Sequence, residues 1–91
     1  MVKVTFHPSF ERAYKRKIKP GSERHSRFRS KVNAFIEDPF HPSLKTHKLS
    51  GRLQGYWSFS IEYDLRVIFY FEDSDTAVFF DLGTHDEVYG R

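Results

Sequence analysis

"GYWSFSIEYDLRVIFYFEDSDTAVFFDLG", residues 55–83, decides the fold of this chain. It is dense in Val, Ile, Phe, Tyr and Trp, the residues that fit a pleated, half-buried surface. It is interrupted at "EYD" (62–64) and "EDSD" (72–75), and "SGRLQG" (50–55) precedes it. Short polar interruptions between apolar runs are the signature of consecutive antiparallel strands. The reading predicts strands near 44–49, 55–62, 65–72 and 76–82, joined as an antiparallel meander. Alternation of side chains predicts core faces of Trp57, Phe59 and Ile61, then Leu65, Val67, Phe69 and Phe71, then Val78, Phe80 and Leu82. The opposite faces then carry Tyr56, Ser58 and Ser60, then Arg66, Ile68 and Tyr70, then Phe79 and Asp81. That second face mixes polar groups with rings, and it forms an open platform with His85 emerging at its edge.

Upstream the period changes. "MVKVTF" alternates and reads as a first strand. Pro8 and Ser9 then open a helix whose Phe10, Tyr14 and Ile18 recur every four residues as one apolar stripe. "KPGS" (19–22) is a turn, with Ser22 a cap for a second helix that runs to about Asp38. Its apolar face is Phe28, Val32, Phe35 and Ile36, and "DPFHP" stops it. The order strand, two helices, then three to four strands predicts an α+β domain with the helices on one sheet face.

The 91 residues fit one domain, 1–91. Ten Phe, five Tyr and one Trp compensate for a small core, or leave rings exposed for a partner. There is no Cys, which excludes disulfides and thiolate zinc sites. No signal-peptide pattern and no membrane-length apolar run is present, so a soluble cytoplasmic protein is expected. The net charge of +3 hides an asymmetry: residues 1–36 hold ten Lys/Arg and two Glu, while residues 37–91 hold five Lys/Arg and ten Asp/Glu. A hairpin this basic suits an anionic partner, or is a solvated helix surface.

The motifs "L-x-x-H-x-L-S-G" (44–51), "G-Y-W-S" (55–58), "Y-D-x-R-V-I-F" (63–69) and "G-T-H-x-x-x-Y" (83–89) follow the first strand and basic hairpin in fixed order. With them the chain resembles the RelE/ParE superfamily of type II toxin–antitoxin toxins, nearest the RelE and YafQ branches, over nearly its whole length. The resemblance implies a ribosome-dependent endoribonuclease that cuts mRNA in the A site of the 70S ribosome. It uses no metal and no small-molecule cofactor. The 2′-OH attacks the adjacent phosphate, and a cognate antitoxin protein neutralises the toxin. The ParE branch shares the fold but acts on DNA gyrase, and a relative that binds RNA or antitoxin without cutting is the third reading.

Such chemistry needs a base for the 2′-OH, an acid for the leaving oxygen and a cation for the phosphorane. Carried over by position, the resemblance makes His85 a general-acid candidate and His47 a general-base candidate. It makes Tyr89 a supporting aromatic, Asp64 a matching carboxylate and Arg66 the phosphate-facing arginine. Each has a plain alternative. Arg66 can pair with Asp81 across strands, Asp64 suits a tight turn, His47 suits an edge strand, and Tyr89 can stack on a base or pin the tail. Tyr56 and Tyr70 share that last ambiguity. Where YafQ carries another Asp and another His, this chain has Ser58 and Ser60. Lys15, Arg16, Lys17, Lys19, Arg24, Arg27 and Arg29 are candidates for RNA phosphate contacts, with solvation or an acidic antitoxin as alternatives. His7, His25 and His41 carry no motif.

Overall fold

The computed structural model describes residues 1–89. Its order is β1 (Lys3–Phe6), α1 (Pro8–Lys17), α2 (Glu23–Glu37), β2 (His47–Lys48), β3 (Trp57–Glu62), β4 (Leu65–Asp73), β5 (Thr76–Gly83) and α3 (His85–Tyr89). The strands form one sheet in the order β1-β5-β4-β3-β2. β2 to β5 make the expected antiparallel meander, and β1 adds to β5 in parallel, so the sheet is mixed.

The helices begin where their caps place them. His7 accepts the Ser9 amide hydrogen ahead of Pro8, and Ser22 accepts that of His25. Both helices bury their stripes against one sheet face. Phe10, Ala13, Ile18, Phe28 and Phe35 join Phe59, Ile61, Leu65, Val67, Phe69, Ala77, Phe79 and Leu82 in a single core. Phe35 lies 4.9 Å from both Phe59 and Phe69, stacked on the first and edge-on to the second. These are favoured aromatic geometries, worth about 0.5–1.5 kcal/mol per pair beyond burial.

Two sequence expectations are corrected. The strand expected at 44–49 is only His47–Lys48, because Pro42–Leu44 form a 3₁₀ turn that buries Leu44 instead. The alternation on β5 also fails. Ile68 lies opposite Asp81 and Phe69 opposite Phe79, so Phe80 is an extra residue in the ladder. This β-bulge shifts the parity. Ala77 and Phe79 face the core, Val78 and Phe80 face away from it, and Leu82 regains the core beyond the bulge. The bulge is latched from β1 and the start of α1: the His7 amide donates to the Phe79 carbonyl at 2.9 Å, and the Ser9 hydroxyl donates to that of Phe80.

Replacing Phe79 by Ala therefore costs about 3–5 kcal/mol of stability, whereas Phe80→Ala costs about 1 kcal/mol or less. Urea unfolding of the two variants checks this, and equal losses would contradict the bulge.

Candidate active site

The face away from the helices is where the site assembles. Across it runs a cleft of about 510 Å³ lined by the β2 segment, the turn after it, the bulge and α3. Its polar groups are His47, Lys48, Ser50, Arg52, Asp81, His85 and Tyr89.

Three contacts fix α3. "THDE" (84–87) is a capping box: the Glu87 amide donates to the Thr84 hydroxyl at 3.2 Å, and the Thr84 amide donates to the Glu87 carboxylate at 2.8 Å. Lys17, from the last turn of α1, also donates to the Glu87 carboxylate. Gly83 permits the close approach, since a Cβ there would stand 2.9 Å from Glu87 Oε1 and 3.1 Å from Glu87 Cβ. Finally the Tyr89 hydroxyl donates to Ser58 Oγ at 2.6 Å. Ser58 is fully buried in the middle of the sheet, so this serine anchors the end of α3 rather than carrying protons. The Tyr89 ring in turn supports the His85 ring, edge-on at 4.4 Å.

His47 enters from the other side, opposite Ser58 in the β2–β3 register. Its Nδ1 lies 3.0 Å from the Lys45 carbonyl. A carbonyl only accepts, so Nδ1 carries the hydrogen and Nε2 of the neutral ring keeps a lone pair. Lys45 sits in the left-handed region at φ 54°, ψ 40°, a conformation costing a non-glycine residue roughly 1–2 kcal/mol. His85 is mostly exposed, with Nδ1 3.7 Å from the Asp86 carboxylate.

The cleft thus brings together His47, His85 and Tyr89. Arg66 is on the same face of β4, opposite Ser60 and Gly83, and donates to Ser60 Oγ at 3.3 Å. Its Nε is buried without a hydrogen-bond partner among the described residues. Asp64 stands apart, exposed in the turn between β3 and β4. Asp81 accepts the Leu82 amide hydrogen at 2.8 Å. Of the basic hairpin residues, Lys17 holds Glu87, and Arg24 and Arg27 both bind Glu62, at 3.0 and 2.7 Å. Partial burial alone would raise the Glu62 carboxyl, and the two guanidiniums outweigh it and hold it below its ordinary value. Lys15, Arg16, Lys19 and Arg29 are exposed. Sequence reasoning missed Lys48, Arg52 and Phe80 as cleft residues. The capping-box spacing T-x-x-E was the available signal for α3.

The sequence profile described as "Bacterial toxin of type II toxin-antitoxin system, YafQ" matches residues 2–90. The chain belongs to the YafQ toxin family. Among solved structures, this YafQ-family toxin is similar to YafQ from E. coli strain BL21(DE3), at TM-score 0.80 and 18% identity over 99% of this chain and 100% of that one. It is similar to a copper-bound mutant toxin from Helicobacter pylori, at 0.79 and 21% over 98% and 100%. It is also similar to the toxin of the E. coli DinJ–YafQ complex, at 0.78 and 18% over 99% and 100%. At these identities the likeness shows a common fold. Comparison with curated proteins finds no match. No helix among the described residues is long and apolar enough to cross a membrane.

The hydrogen bonds from Lys17 and from the Thr84 amide hold the Glu87 carboxyl at about 2, against 4.5 ordinarily. Because folding favours the charged form, the contribution is complete above about pH 4.5 and is lost as pH falls toward about 2. Tyr89 ring resonances followed by NMR should shift to free-tail positions across that interval while core resonances persist. In Glu87→Gln the shift is already present at neutral pH.

Proposed function

We propose that this toxin is an endoribonuclease that cuts mRNA in the ribosomal A site, with a cognate antitoxin as its protein partner and the cytoplasm as its place of action. The observation that carries the reading is one cleft holding two imidazoles from opposite sides together with Lys48 and Arg52. His47 offers Nε2 to take the 2′-OH proton. The freed oxygen attacks the adjacent phosphorus, and the bond to the 5′ oxygen of the next nucleotide breaks. His85, on α3, gives that oxygen its proton. The products are a 2′,3′-cyclic phosphate and a 5′-OH, so atoms and protons balance with no other group. Arg52 stabilises the phosphorane from within the cleft, and Arg66 from the adjoining sheet face, each by charge-assisted hydrogen bonds. Tyr89 positions His85.

Two imidazoles lining one cleft favour cutting over the gyrase-binding alternative, which needs no proton transfer. Lys15, Arg16, Lys19 and Arg29 suit ribosomal RNA phosphates, on helices that lie across the sheet from the cleft. A DinJ–YafQ complex is known for the E. coli toxin, and this chain's antitoxin binds in the same manner of pairing, toxin with antitoxin.

Primer extension on translating ribosomes tests the assignment. His47→Ala and His85→Ala should each lower cleavage about 100-fold or more, the range of lost acid–base catalysis. Asp64→Asn should leave it near wild type. Cuts retained by both histidine variants would overturn the mechanism.

A further inference from the structure

Beside the cleft, the open face carries a cluster of rings for which the cleavage chemistry has no use. Tyr56 meets Tyr70 edge-on at 5.6 Å and 83°, and meets Phe80 at 5.2 Å and 51°. His7 leans on Phe80 at 4.8 Å. With Gly55 and Phe71 they line a hollow of about 370 Å³, and all four rings are half-buried. The core helices lie on the other side of the sheet.

We propose that this hollow seats an unpaired RNA base, stacked on Tyr56, Tyr70 and Phe80, next to the phosphate being cut. The proposal rests on the RNA reading of the cleft. Continuity is the first argument. Phe80 lines both cleft and hollow, and Lys48 joins the cleft to a third depression that shares Gly55 and Tyr56 with the hollow. A strand whose phosphate lies in the cleft has a neighbouring base within reach. Charge is the second: Lys48 and Arg52 outnumber Asp81 on the adjoining wall, which suits a polyanion. The third is the bulge, which spends ladder pairing to turn a phenylalanine out of the core and onto this face. Aromatic side chains on an open sheet are a general means of holding unpaired bases. His7 adds a polar contact: its Nδ1 accepts the Ser9 amide hydrogen at 3.1 Å, so Nε2 of the neutral ring is the donor left for a base edge.

By that continuity the base is one of the mRNA, and the experiment separates it from a base of ribosomal RNA. Affinity for ribosomes programmed with mRNA carrying 2-aminopurine at each A-site position is measured for the full chain and for Tyr56→Leu and Tyr70→Leu, two rings that lie outside the cleft. Single-turnover cleavage at saturating toxin and thermal midpoints are measured on the same proteins. The expected result is affinity weakened roughly 5- to 150-fold, the equivalent of one lost stacking contact, with the saturated cleavage rate kept. Quenching of 2-aminopurine at one position, lost in the variants, identifies an mRNA base. Weakened affinity with no change in quenching overturns the mRNA base and assigns the hollow to a ribosomal one. Variants that fold, bind and cut like the wild type overturn the base seat while leaving the nuclease reading intact. Platform-dependent binding without cuts by the wild type overturns the nuclease reading and leaves the seat. No binding to programmed ribosomes by the wild type overturns both.

Discussion

The bulge in β5 is the constraint on which the working face depends. An uninterrupted strand would send Phe80 into the core and Phe79 outward, and the single extra residue reverses both. A bulge leaves backbone groups outside the ladder, and buried ones must find partners. Here β1 and the first turn of α1 supply them, through the His7 amide and the Ser9 hydroxyl on consecutive carbonyls. The same His7 caps α1 and leans on Phe80. One junction thus starts a helix, secures the bulge and furnishes the rim of an aromatic hollow.

The second constraint is at the end of β5. Gly83 lets α3 lie against the strand without a Cβ in the way, and the Thr84–Glu87 box closes its first turn. A five-residue helix has little stability of its own. Lys17 from α1 and Ser58 from β3 therefore hold it at its two ends. Ser58 thereby has a structural purpose: it is the buried acceptor for the Tyr89 hydroxyl. His85 is then held by its neighbours on α3, and His47 by a carbonyl on a left-handed lysine.

Much of this was legible in the chain itself. The two amphipathic stripes, the Ser22 cap and the turn residues placed the helices and strands β3 to β5, because those signals are local. His47, His85 and Tyr89 were legible through motif order, and they do meet in one cleft. The bulge was not legible. Alternation assumes that every residue advances the pleat, and "AVFFD" offers apolar residues for either parity. The shortness of β2 was hidden because the 3₁₀ turn that displaces it depends on burying Leu44. Arg52 escaped notice because a lone basic residue in a loop reads as solvated until the fold brings that loop over the sheet.

The central claim is that this face cuts RNA by using the substrate's own 2′-OH. The most direct measurement is the end chemistry of mRNA cut on ribosomes, with a matched message carrying a single 2′-deoxynucleotide at the scissile position. The account predicts a 2′,3′-cyclic phosphate and a 5′-OH on the natural message, and no cut on the deoxy-substituted one. Equal cutting of both messages would contradict it.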